Sequence, residues 1–404
     1  MGRVAGGSGA VDVGKLSAGD IESVADRLGQ FLEPYQALMG WKPRRGHVKT
    51  FIDGLLSGLE RKSVEPIAVT AGQGRKPLQH FVGVSQWDER PLLEHLRRDV
   101  AREIGDAHGV FIIDGSANPK KGTESVGVAR QWCGRLGKVE SCQIGVYLAY
   151  AGQGSRTLVD RRLYLPQAWT EDPARCAKVH VPEKVRFKKA WELADEMLRQ
   201  HREVLPHRWI TGDDEFGRPT QFRDRLAKRA ERYVLEVPSQ IMVRKRRGLF
   251  GRPAKWQRVT DFIRRLPVSA WQRFTVRDGE KGPIEVCAVS RRVETRRRGG
   301  KPRPETLLVM EALVGSDRWI FLSNASRAPI EELVEVASKR HLIEEAFGVG
   351  KGEVGLDHYE VRTWQGWHHH TACALIAQWF LVREKRRLGG KSTADDRPSG
   401  PVHR

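Results

Sequence analysis

Two short apolar runs in this chain each stop on a carboxylate, and that constrains the fold more than any other feature. GVFIIDGS carries four apolar residues up to Asp114, and HRWITGDDEFG carries a shorter run up to Asp213. Runs of this length, rich in β-branched and aromatic residues and closed by Asp and Gly, read as strands that deliver acids to one rim of a sheet. SVGVARQW and SCQIGVYLAYA read as two further strands, so three consecutive strands are expected before a loop region containing LYLPQAW. FKKAWELADEMLRQHRE then has helical character. Strand, helix and strand predict a mixed α/β domain with ligands at strand ends.

On either side the period is helical. Ile21, Val24, Leu28 and Phe31 share one face, as do Val48, Phe51, Ile52, Leu55 and Leu59, and a third helix is expected from Asp88 to Ile104. Residues 20–105 therefore read as a small helical domain. Downstream, residues 239–305 hold 19 Lys and Arg against 6 Asp and Glu, densest at RKRRG (244–248) and RRRGGKPR (296–303). Strands are expected there at WQRFTVRD, PIEVCAVSRR, TLLVMEALV and WIFLSN, the first two joined by a turn from Asp278 to Gly282. IEELVEVASKRHLIEEAF reads as one helix with an acidic start, which complements its dipole, and a further helix spans 364–386. The Gly-rich stretch 1–19 and the tail 388–404 are expected to be disordered.

The partner class follows from charge. A formal net charge of +20 favours phosphate backbones through counterion release. Apolar residues at 39% still leave material for a sizeable core, so the chain is not of disordered composition. Five widely spaced cysteines form no CxxC pair and suit neither a disulfide framework nor a zinc ribbon, which points to a reducing cytoplasm. No signal peptide or bilayer-spanning run is apparent, so no membrane role is expected.

A third acid completes a chemical pattern. Glu344 lies on the downstream helix, where at 100° per residue Arg340, Glu344 and Lys351 fall within an arc of ~40° and Glu345 points away. Read blandly, this is a solvated charged face with an Arg340–Glu344 pair. Read with Asp114 and Asp213, it is a set of hard oxygen donors suited to magnesium and phosphoryl transfer. Asp214 is an alternative to Asp213 if the strand register differs by one. His368, His369 and His370 point in three directions from a helix and suit a structural or DNA-facing role better than zinc. Packing within the basic segment explains Trp256 and Trp271 better than base stacking does.

Arg340, Glu344 and Lys351 match the R-E-K part of the YREK signature of bacterial insertion-sequence transposases, with Ala337 at the Tyr position. DGSANPKKGTESVGVARQWCGRLGKVESCQIGV, TGDDEFG and IEEAFGVGKGEVGLDHYEVRTWQGWHHH resemble the DDE superfamily endonucleases, over residues 30–385. The resemblance implies an RNase H-like catalytic domain at 106–387, with Asp114, Asp213 and Glu344 holding magnesium, or manganese in its place. It implies a basic β-strand insertion at 239–326 and a DNA-binding role for the helical domain. The expected activity is cleavage of double-stranded DNA at terminal inverted repeats, followed by joining to target DNA, by a homodimer associated with the nucleoid. Arg340, Lys351, Lys120, Lys121, Arg244, Lys245, Arg246 and Arg247 would contact phosphates. Two rival readings are a transposase-derived DNA-binding protein that no longer cuts, and another RNase H-like nuclease such as a junction resolvase.

Overall fold

The computed structural model describes residues 18–245, 254–279, 282–297 and 300–389. Most of the stretches expected to be disordered, together with Arg246 and Arg247, lie outside the described residues. Five helices come first: α1 (Ala18–Leu38), α2 (Lys42–Leu56), α3 (Val64–Thr70), α4 (Arg75–Gly83) and α5 (Arg90–Ile104). Periodicity foretells α1, α2 and α5. Helices α3 and α4, at seven and nine residues, are too short for their few apolar positions to show a repeat.

The sheet then begins with β1 (Val110–Pro119), β2 (Ala129–Cys133), β3 (Lys138–Gly152) and β4 (Ser155–Leu163). Here the expectation needs correction. SVGVARQW is a loop for half its length, and β2 covers only the far end of β3. The third long strand is β4, in a stretch expected to be loop. Asp160, Arg161 and Arg162 interrupt its apolar residues and hide the strand pattern. All three are held: Asp160 meets Arg162 at 2.8 Å and His201 Nε2 at 2.5 Å, while Arg161 donates to Thr371 Oγ1 at 2.9 Å and His368 O at 2.7 Å. A buried charge is tolerated when it is paired in this way.

Next come α6 (Gln167–Thr170), α7 (Pro173–Lys178), α8 (Ala190–His201), β5 (Trp209–Gly212), α9 (Asp214–Gly217), α10 (Thr220–Lys228) and β6 (Tyr233–Glu236). β1 runs antiparallel to β3 and β3 antiparallel to β4, whereas β1, β5 and β6 are mutually parallel, in the spatial order β4-β3-β1-β5-β6. The basic segment adds β7 (Met242–Lys245), β8 (Gln257–Arg258), α11 (Val259–Ile263), β9 (Gln272–Gly279), β10 (Gly282–Thr295) and β11 (Arg303–Ala312), and β12 (Arg318–Ser323) joins it to β6. The last four strands lie where alternation places them. The result is one large mixed sheet with helices against it, consistent with an RNase H-like nuclease.

Three helices close the described chain: α12 (Ile330–Ser338), α13 (His341–Val354) and α14 (Trp364–Arg387). The expected single helix over 330–347 is therefore two. Ser338 Oγ donates back to Val334 O at 2.7 Å, and His341 Nδ1 takes Ser338 O, the carbonyl that Leu342 N would use in a continuous helix. Leu342 N turns to Lys339 O instead, at 3.0 Å.

α14 is the central post. It is buried from Gly366 to Phe380 on every side, and side chains of α1, α2, α4 and α5 share one hydrophobic core with it and with the sheet. Trp379 Nε1 donates to Asp99 Oδ2 of α5 at 2.7 Å. The three histidines belong to this core. His368 bonds Trp364 O, His369 bonds Val82 O and Trp87 O, and His370 bonds Gly355 O. No described helix is long and apolar enough to cross a membrane.

Burial lowers the His368 and His370 pKa values to about 4, against an ordinary value of 6.5. Both therefore favour the neutral ring in the folded state. Their contribution is present above pH 6.5 and is lost as pH falls from there toward 4, on the order of 3 kcal/mol each. Thermal midpoints measured from pH 7 to 4 should fall steeply for the parent. His370→Gln, which keeps a donor for Gly355 O, should show a shallower slope by up to about one proton; identical slopes would overturn this account.

Candidate active site

The pairing of β1 with β5 sets the site. Ile113 stands opposite Gly212 in the parallel register, so the residues that follow, Asp114 and Asp213, stand at the same level; β5 ends there, whereas β1 runs on past the expected end of its apolar run to Pro119, with Asp114 opposite Tyr147 of β3. Asp114 Oδ1 accepts from Gly115 N at 2.7 Å. Asp213 caps α9, its side chain accepting from Glu215 N at 3.1 Å. Gly217 is needed here, because a Cβ would fall 1.6 Å from Glu236 O where α9 crosses β6.

Glu344 lies in the first turn of α13, and Arg340 is the residue that starts it. Arg340 Nη1 lies 3.1 Å from Glu344 Oε1 and Arg340 Nε 3.3 Å from Glu236 Oε2, while Asp114 and Asp213 also act on its charge. Four carboxylates thus share one guanidinium. Burial, then Asp213, pushes the Asp114 pKa up to about 8. Burial, then Asp214, raises Asp213, and burial, then Asp213, raises Glu215 to about 7. Burial likewise raises Glu236 against the opposing pull of Arg340.

Glu215 and Glu236 are members of this group that sequence reasoning passed over. Glu215 joins the group through Asp213 and Asp214, which act on its charge, and its Oε2 reaches to 3.7 Å from where a Cβ on Gly115 would stand, on the face of β1 opposite Asp114. The raised values of neighbouring acids were the missing signal, since only the fold creates them. Asp214 pairs with Arg218 at 2.7 Å and adds its charge to Asp213 from the next position. Glu345 is occupied by Arg156, by His341 at 3.3 Å and by Arg277 at 3.5 Å, on another side of α13 from Arg340.

Among the described residues no three acidic, His or Cys side chains are already gathered tightly enough to hold a metal ion. Glu344 is turned to Arg340 and is 57% exposed at its side chain. The donor chemistry nonetheless fits a hard divalent cation, because crowded carboxylates with raised pKa values lack sufficient countercharge.

The candidate phosphate contacts divide. Lys351 remains helical, since α13 runs to Val354 and closes at Gly355 with a φ of 59°. It sits over the Phe347 ring at 5.2 Å, with Asp357, Arg135 and Asp114 acting on its charge. Lys121 is exposed, but Lys120 donates to Tyr359 O at 3.0 Å, lies over its ring at 3.9 Å and is lowered to about 8 by burial. Arg135, held by Asp357 at 2.6 Å, is a further cation on this side. In the basic segment Lys245 is exposed, while Arg244 is tied to Glu294 at 2.6 Å and stacks on Trp256 at 4.6 Å. Arg296 covers the same ring, so Trp256 is a packing element, and Trp271 packs against the core of the strands around it.

A family model described as DDE superfamily endonuclease matches residues 34–283. The chain belongs to that family. The match takes in Asp114 and Asp213 and stops before Glu344. A probable transposase for insertion sequence element IS701 from Microchaete diplosiphon is 32% identical over 103 residues, 24% of this chain and 27% of that relative. The alignment thus spans about a quarter of each protein.

A family member with this excess of carboxylates should be strained at neutral pH without metal. Asp114→Asn should raise metal-free stability at pH 8 on the order of 2 kcal/mol, because Asn carries no charge to bury. Magnesium should then raise the thermal midpoint of the parent but not of the variant. A variant less stable than the parent in chelator would sink this reading.

Proposed function

We propose that this protein is a DNA transposase that cleaves at the ends of its own element and joins the freed 3′-hydroxyl to target DNA. The observation that carries the reading is the convergence of Asp114, Asp213 and Glu344 with Arg340, within a DDE-family chain. The 32% identical relative, a probable transposase, supports transposition over resolution of junctions. Asp114, Asp213 and Glu344 would hold magnesium, with manganese as a substitute, in an RNase H-like domain. Bound there, two such ions supply activation of the attacking oxygen and stabilisation of the leaving one.

The chain's own residues do the rest. Arg340 balances the acids before a cation arrives and faces the phosphate afterwards. Lys351 and Lys121 hold phosphate oxygens beside the scissile bond, since each offers donors and no lone pair. In the first displacement water attacks the phosphorus, the bond to O3′ breaks, and the proton ends on O3′. The new 3′-hydroxyl repeats this on target DNA. Helices within 20–105 would grip terminal inverted repeats and the inserted strands of 239–326 the flanking backbone, in a nucleoid-associated homodimer. A non-cutting DNA-binding descendant is the lesser alternative, as all three acids are kept.

Asp114→Asn, Asp213→Asn and Glu344→Gln should each reduce cleavage of DNA carrying the element ends by about 10³-fold or more while leaving DNA binding intact. Glu345→Gln should cut like the parent. Glu344→Asp should raise the metal concentration for half-maximal rate, because magnesium tolerates little departure from octahedral geometry, whereas Lys351→Ala should slow cutting without moving that concentration. Full cleavage by Glu344→Gln would refute the assignment of the third acid.

Salt dependence separates the phosphate contacts from the structural cations. Lys121→Ala and Lys245→Ala should each flatten the slope of log affinity against log salt by up to about 0.9. Arg244→Ala should instead lower thermal stability, and an unchanged slope in all three would mean that DNA passes elsewhere.

A further inference from the structure

We propose that the cavity enclosed by α5, β4, α8 and α14 is a second ligand site, one that takes a terminal phosphate such as that of a nucleotide or a 5′ strand end. The cavity measures about 900 Å³ and opens at the outer edge of the sheet. The register Asp114 to Tyr147 to Arg161 puts β4 two strands away from the catalytic carboxylates, none of which lines it. It is therefore separate from the proposed cleavage site.

Arg97 is the decisive residue. It lines the cavity from α5, is only 8% exposed, and makes no hydrogen bond or ion pair among the described residues. Asp160 acts on its charge, yet that carboxylate is already held by Arg162 and His201. The Arg97 nitrogens open to the cavity without a protein partner, so packing alone gives no reason for the charge. An arriving anion supplies one.

The surrounding charges specify that anion. Six Lys and Arg side chains and four carboxylates line the cavity. At the rim Arg90 meets Asp88 at 2.7 Å and Arg98 meets Glu94 at 3.6 Å. Deeper in, Arg161 meets Glu89 at 3.5 Å and Arg162 meets Asp160 at 2.8 Å. Arg97 and the exposed Lys184 are left over. Two uncompensated positive charges match a phosphomonoester dianion, and a guanidinium offers the fork that phosphate accepts. The volume exceeds what a phosphate alone fills and is in the range of small-molecule sites, roughly 300–1,000 Å³. Half-buried Trp364 forms part of the wall and presents a ring to the remainder of a nucleotide.

The test uses the full chain with AMP, inorganic phosphate, and a short oligonucleotide bearing either a 5′-phosphate or a 5′-hydroxyl, read by calorimetry and thermal shift. The parent should bind AMP, or should prefer the 5′-phosphorylated strand to the 5′-hydroxyl one; the first outcome identifies a free nucleotide and the second a strand end. Arg97→Met should weaken that binding by roughly tenfold or more and erase any 5′-phosphate preference. The same variant should leave affinity for the 5′-hydroxyl strand unchanged and should melt at or above the parent's temperature without ligand. If Arg97→Met does not fold, Lys184→Ala at its exposed position should still show a loss of about threefold. No binding of any phosphate probe, or equal binding by the variants, overturns the proposal.

Discussion

The parallel pairing of β1 with β5 is the constraint on which the active site rests. Because Ile113 faces Gly212, the residues that follow present both acids from adjacent strands, and a slip of one residue would send one of them to the opposite face. That pairing needs a chain able to turn at once after β5. Asp213 provides the cap that starts α9, and Gly217 allows the helix to lie against the carbonyl of Glu236.

Electrostatics then binds the helical layer to the sheet. Arg340 stands at the break between α12 and α13, from which its guanidinium reaches Glu236 at the end of β6 as well as Glu344 on its own helix. Two hydrogen bonds to helix carbonyls, from Ser338 and His341, make the break that starts α13 at this arginine. The Arg340–Glu344 pair of a plain charged helix is thus present, and it is the same pair that points into the carboxylate group. The two readings of this helix describe one geometry.

Buried charge recurs away from the site. β4 carries Asp160, Arg161 and Arg162 through the protein, and α14 carries three buried histidines, of which His369 and His370 bond carbonyls outside their own helix. Such residues look like solvent-facing loop or cluster residues when only their neighbours in sequence are visible. Strand β4 was hidden for this reason. Arg97 looks equally ordinary on an amphipathic helix, and its lack of a partner exists only in three dimensions.

Sequence alone determined the elements with long, strongly periodic patterns: α1, α2, α5, α14, the last four strands, and the carboxylates that follow the apolar runs of β1 and β5. It also placed Arg340, Glu344 and Lys351 on one helical face, because a 3.6-residue repeat converts spacing directly into direction. Tertiary structure alone decided which cations are free. Lys120 and Arg244, indistinguishable from Lys121 and Lys245 as letters, are taken up by Tyr359, Glu294 and Trp256. It likewise brought Glu215 and Glu236 to the acids and raised their pKa values. Burial and countercharge depend on residues distant in the chain, and no local pattern encodes which of them will meet.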